Sequence, residues 1–154
     1  MESQTQSLLF PLVVDSDGWP PVGAESIPVK SHANGNFTIL TPPFFIKDLS
    51  VGDVISVQID NQRTIKNWLH VQRSRNSTVW VLQDAAISEN ELADQFLKLQ
   101  CNVERFSQIG LLSVDVPPHV LESDLDRLID NCRAIGAHVA VPSFRFDEPP
   151  DIAT

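Results

Sequence analysis

Between residues 78 and 146 the hydrophobic positions switch repeatedly between strand-like and helical spacing. Val79-Trp80-Val81-Leu82 is a short apolar run rich in β-formers. Leu92, Phe96 and Leu99 then recur at i, i+4 and i+7, which predicts a helix with one stripe facing a core. Ser88 is placed to cap it, with Glu91 completing a capping box and Ile87 and Leu92 forming a hydrophobic staple. Strand-like runs follow at 103–106 and 111–116, with Gly110 between them as hairpin punctuation. A second helix, capped at Ser123 or a neighbour, carries Leu121, Leu125, Leu128, Ile129, Cys132 and Ile135 on one face and stops at Gly136. Residues 138–141 read as a last strand. The order is β-α-β-β-α-β, that of a ferredoxin-like unit. Leu112, Val114 and Val116 alternate with Leu111, Ser113 and Asp115, so one face of the sheet meets the helices and the other needs a different cover.

The first half supplies that cover. It shows no helical periodicity, and strands are expected at 8–14, 25–29, 37–40, 54–59, 68–72 and 78–82. Between them stand Gly18, Pro20-Pro21, Asn34-Gly35, Pro42-Pro43, Gly52 and Asn76-Ser77, with Asn34-Gly35 a tight-hairpin signal. The expected fold is α+β: a small, partly open β-barrel-like unit over residues 1–77 packed directly on a ferredoxin-like unit over 78–146, with a fraying polar tail at 147–154.

At 154 residues and 42% hydrophobic content the chain can bury a core without metal or disulfides. No apolar run is long enough to cross a membrane, and residues 1–9 lack the pattern of a signal peptide, so the expected location is the cytoplasm. Cys101 and Cys132 fall on or near core faces, where a buried inert thiol is expected rather than a disulfide.

Charge is the global property that points to a partner. The net charge of −9 is uneven, about −1 over residues 1–77 and −8 over the rest. Asp84, Glu89, Glu91 and Asp94 crowd the start of the first predicted helix, and Glu122, Asp124, Asp126 and Asp130 that of the second. Acids at helix N-termini complement the macrodipole and keep a protein soluble, which accounts for much of this pattern. The functional alternative is one negative face built from both helix starts, steering a basic protein partner and repelling nucleic acid.

Candidate chemistry is sparse. His32, His70, His119 and His138 fall in no metal-binding spacing, and there is no dinucleotide or phosphate loop and no nucleophile elbow. No cofactor, metal or catalytic residue is expected; a thiolate pair of Cys101 with His138 is the one arrangement to weigh, and a structural cysteine is the simpler reading. Arg63, Lys66, Arg73 and Arg75 form the one basic cluster, read as a solvated hairpin rather than an anion site.

The string Asp17-Gly18-Trp19-Pro20-Pro21-Val22-x-x-Glu25-Ser26, with Pro43-Phe44-Phe45, Gly52-Asp53-Val54 and Val114-Asp115-Val116-Pro117-Pro118, resembles a bacterial family of unknown function, DUF4265. The likeness spans most of the chain and implies a bacterial origin and a two-part architecture, but no activity. Members typically continue the string with Trp-Ala; here Ile27-Pro28 follows Ser26, so a difference is expected at that edge.

Within the string, Gly18 permits a turn, Trp19 offers an apolar plate, and Pro20-Pro21 stiffens the exit, which predicts a Trp-pinned loop closing one end of the barrel, with Glu25 satisfying backbone donors in that loop. The alternative is that Trp19, Asp17 and Glu25 face outward as an anchor flanked by acids. Two function classes fit these readings. One is an acidic, non-enzymatic protein-binding module, most concretely an immunity protein docking on a basic toxin domain through Glu122, Asp124, Asp126, Asp130, Trp19 and Asp17. The other is a small-molecule-sensing or regulatory domain, against which stands the lack of a glycine over 82–87.

Overall fold

In β1 (Thr5–Pro11) the buried side chains are Leu8 and Phe10, and in β2 (Ala24–Ser31) they are Glu25, Ile27 and Val29, the period-two pattern of a sheet with one covered face. The computed structural model describes residues 5–62, 64–83 and 88–147. β3 (Phe37–Ile39), β4 (Val54–Ile59) and β5 (Ile65–Gln72) complete a five-stranded antiparallel meander in chain order. A bridge from Leu9 to Thr64 brings its first and last strands together without a ladder, so the sheet curls but does not close into a barrel. Leu8, Phe10, Ile27, Val29, Ile39, Leu49 and Ile55 form its core.

The second sheet orders its strands β7-β8-β6-β9, all antiparallel, from β6 (Ser77–Leu82), β7 (Asn102–Phe106), β8 (Leu111–Val116) and β9 (His138–Ser143). α1 (Glu89–Lys98) and α2 (Glu122–Ala134) cover one face, burying Leu92, Phe96, Leu125 and Ile129 against Val79, Val81, Leu112 and Val114. Ser88 caps α1 by accepting the Glu91 N–H, as its spacing predicts. Ile87 and Asp84 lie outside the described residues. α2 departs from expectation: its N-cap is Leu121, with no side-chain cap bond, and Ser123 sits inside the first turn. Both helices end in the same paired pattern, the N–H of Cys101 and Ala137 returning to the carbonyls of Phe96 and Cys132. Gly136 takes the left-handed position in α2, and Gln100 takes it in α1.

Strand limits shift by a few residues from the expected ones, most at β1, which starts earlier and ends at Pro11, and at β5 and β9, which are longer. Asn34-Gly35 does lie in the β2–β3 hairpin, but as a longer loop closed by His32 and Asn36. Ile27-Pro28 does not interrupt β2: Pro28 pairs opposite Ser7 and its carbonyl accepts the Leu40 N–H at 3.1 Å.

All six residues of β8 are buried, because its second face is covered as well. The cover is the segment 40–53 between β3 and β4. Its Pro43 carbonyl accepts both the Trp80 indole N–H at 2.7 Å and the Ser113 hydroxyl at 2.6 Å. The Ser50 hydroxyl lies 3.0 Å from that of Thr78 and donates to Ser143 at 2.7 Å. Leu49 of the same segment enters the first core, so a single irregular stretch is packed into one layer and hydrogen-bonded to the other. Gly52 turns the segment at φ +88°, a backbone region that favours glycine, and an added Cβ would meet Ser74 at 3.1 Å. The two hydrophobic clusters stay separate and the seam between them is polar.

Candidate functional site

At the centre of the seam is Asp53, fully buried, whose carboxylate accepts five hydrogen bonds. Arg145, also fully buried, forks onto it through Nη1 and Nη2, both at 2.8 Å. His70 Nε2 lies 2.9 Å away, and the N–H groups of Ser50 and Ser74 donate at 3.0 and 2.8 Å. Burial pushes the carboxyl up, but Arg145, His70 and the two backbone donors outweigh it and hold Asp53 well below the usual carboxylate range. Arg145 also reaches the carbonyls of Ser74 and Asp48, tying the end of the chain to the 40–53 segment. Perturbed carboxylates often mark active sites. Here every oxygen is engaged internally, which makes the group structural. Sequence reading passed over Arg145; a single basic residue between Phe144 and Phe146, in an acidic half, was the available signal.

The other basic residues behave differently. Arg73 clamps Asp48 through two bonds of 2.6 and 2.7 Å, whereas Arg75 and Lys66 are exposed, and Arg63 lies outside the described residues. The Arg73 guanidinium holds Asp48 below its ordinary range.

The Trp19 loop is organised by Asp15. Its Oδ1 accepts the N–H groups of Asp17 and Trp19 at 2.9 and 3.0 Å, while its backbone bonds Gly18 and Trp19 at 3.0 and 2.8 Å. The Trp19–Pro20 bond is cis. Trp19 remains 44% exposed, its ring edge-on to Phe45 at 5.8 Å. It does not close the end of the first sheet, as the sequence suggested. It lies over the helix-free face of the second, where two neighbouring grooves of about 320 and 210 Å³ share Trp19, Trp80 and Leu111. Val13 and Val14, exposed at 92% and 45%, extend the apolar surface, and Asp17 is exposed beside it.

Glu25 corrects a second expectation. It is not part of an outward anchor: it faces inward in register with Ile27 and Val29, a parity visible in the sequence. Its donors come from a different loop, Phe44 N–H at 2.6 Å and Phe45 N–H at 2.9 Å. Burial raises its carboxyl above the ordinary value against the pull of those two bonds.

The helix acids do not form one face. β6 and β8 run antiparallel with Leu82 opposite Leu111 and Ser77 opposite Val116, so α1, which follows β6, and α2, which follows β8, start at opposite ends of the sheet. Those ends are about 17 Å apart at the usual strand rise. Glu89 moreover accepts the Ser107 hydroxyl. Glu122, Asp126 and Asp130 are exposed, and Asp124 is 3.8 Å from Arg127. All lie on the helical side of the sheet, away from Trp19 and Asp17, so the six residues singled out from the sequence occupy two separate surfaces.

Among the described residues no group of three His, Cys, Asp or Glu side chains could hold a metal. His32 bonds Thr38, His70 bonds Asp53, and His119 and His138 are exposed. Cys101 and Cys132 are free and buried. Burial, aided by Asp115, pushes the Cys101 thiol up to about 12, the opposite of what a thiolate nucleophile needs. Both thiols are therefore expected to react slowly with a bulky maleimide in native buffer and at once in denaturant; fast native labelling of either would contradict the placement.

Comparison with known proteins gives the same architecture. The family model described as "Domain of unknown function (DUF4265)" matches residues 25–139. The chain belongs to the DUF4265 family. In this family member the match opens at the buried Glu25 and includes Asp53 and the whole 40–53 segment. A solved structure titled "Novel crystal structure of a hypothetical protein from Neisseria gonorrhoeae" shares the fold at a TM-score of 0.71 and 16% identity, over 96% of this chain and 99% of that one. No curated protein matches the DUF4265 chain. No helix of the described residues is long and apolar enough to cross a membrane.

Proposed function

We propose that this chain is a non-enzymatic, acidic protein-binding module of bacterial origin that acts in the cytoplasm, most concretely as an immunity protein docking on a basic toxin domain such as a nuclease. The observation that carries the reading is Trp19: a large aromatic side chain held half-exposed by a hydrogen-bonded loop, near Val13 and above two grooves, the smaller apolar and the larger lined also by Asp15 and Lys47. Contiguous exposed apolar surface marks interaction sites, and a pre-organised Trp binds with little ordering cost. The perturbed carboxylates Asp53 and Asp48 are each engaged by an internal guanidinium, which favours structural roles for them. In this reading Trp19 and Asp17 make contact. Glu122, Asp124, Asp126 and Asp130 contribute to the field of the −9 chain, which steers a basic partner from a distance. The architecture is read as a partly open barrel-like unit, residues 1–77, on a ferredoxin-like unit, residues 78–146; the strand order β9-β6-β8-β7 supports the latter.

The test is binding kinetics against basic bacterial nuclease-toxin domains, including any encoded beside this gene. Trp19→Ala should shorten the lifetime of the complex at a cost of about 2 kcal/mol or more, roughly 30-fold. Neutralising the four α2 acids should slow association at low salt and leave dissociation nearly unchanged. A complex whose lifetime ignores Trp19→Ala, or no complex with any such domain, would overturn the reading.

A further inference from the structure

A cleft of about 430 Å³ opens beside Glu25, between β2, the 40–53 segment and β7. Its walls include Phe44, Phe45 and Phe106, mutual neighbours with ring centroids 5.7 to 6.3 Å apart. Among the described residues Glu25 and Glu104 line it, and no lysine or arginine does. Glu25 is 9% exposed, and among the described residues no cation pairs with it. Its two backbone donors occupy one lone pair on each oxygen and leave the second free. A buried carboxylate is ordinarily paired with a cation, as Asp53 is with Arg145. Aromatic ring faces attract cations and repel anions, so both wall chemistries select the same charge.

We propose that this cleft is a binding site for an organic cation, an alkylammonium or guanidinium group whose carbon stem packs among Phe44, Phe45 and Phe106 while its charge meets Glu25. The raised carboxyl of Glu25 fits a site that lacks its counter-charge. The cleft adjoins the docking surface through Phe44 and Phe45, which line both, but Trp19 does not line it and free amines probe it without any protein partner, so the two readings fail separately. The cation comes either as a free small amine or as a lysine or arginine side chain offered by another protein.

The experiment titrates the full chain with n-butylammonium and with agmatine, following the amide resonances of Phe44 and Phe45, whose N–H groups bond Glu25. Saturable shifts are expected with a Kd on the order of 1 mM, while n-butanol and butyrate should bind at least tenfold more weakly. Glu25→Gln should weaken n-butylammonium at least tenfold. Because that change also alters the cap on the Phe44 and Phe45 amides, Phe106→Leu serves as an independent variant and should weaken it severalfold with an unchanged near-UV spectrum. Nα-acetyl-lysine amide separates the sources: affinity equal to that of butylammonium supports a protein side chain as the natural occupant, and affinity for the free amines alone supports a small metabolite. No saturable shift at about 50 mM amine, or equal binding of n-butanol, overturns the proposal.

Discussion

Arg145→Met is expected to destabilise the chain by about 3–5 kcal/mol, because it leaves the Asp53 carboxylate buried without its counter-charge. In thermal melts this is a drop of roughly 6–20 °C for a chain of this size. Asp53→Leu should cost a similar amount by stranding the guanidinium. The double variant should be far less destabilised than the sum, since it removes both charges from the seam. Acid unfolding provides a second readout. The folded carboxyl of Asp53 lies below its ordinary 3.8, so its contribution is present above that value and lost as pH falls through the folded one. Arg145→Met should therefore move acid unfolding to higher pH. Glu25 acts in the opposite sense: its carboxyl is raised above 4.5, so its contribution is present below 4.5 and lost as pH rises through the folded value. Additive single-variant costs, or an acid transition unmoved by Arg145→Met, would show that the pair does not couple the layers.

Phe96→Ala is the second large effect. Phe96 is fully buried between α1 and the second sheet, and its truncation should cost about 3–5 kcal/mol. The informative readout is in the other layer, where Trp68 packs on the first core. If the polar seam couples two separate clusters, Trp68 should report the loss in the same single transition as far-UV circular dichroism. Phe10→Ala, made in the first core, should shift that transition in the same direction. A Trp68 transition left in place by Phe96→Ala would mean that the layers unfold independently.

The elements that sequence revealed are those whose signals are local. Leu92, Phe96 and the capping Ser88 announce α1, and Gly136 announces the end of α2. The alternation in β8 distinguishes its two faces and foretells that the second would need a cover. What covers it was not legible, because the 40–53 segment has no period: its Pro43 carbonyl, Ser50 hydroxyl and Leu49 side chain each act on partners far away in the chain. The Asp53–Arg145 pair escaped for the same reason, its members standing 92 positions apart. Glu25 was readable in part, since its parity with Ile27 and Val29 turns it inward, whereas the identity of its donors depends on the path of a distant loop. The acids at the two helix starts look alike in sequence and are parted by topology alone, because antiparallel β6 and β8 feed their helices from opposite ends of the sheet.

The central proposal, that the Trp19 surface is where a partner docks, is tested most directly by amide hydrogen exchange on a complex with any basic toxin domain found to bind the chain. Exchange should slow across residues 13–20 and at Phe44 and Phe45, with the first turn of α2, from Glu122 to Asp126, unchanged. Protection at that turn while the Trp19 loop exchanges as in the free protein would contradict the account and move the contact to the helical side.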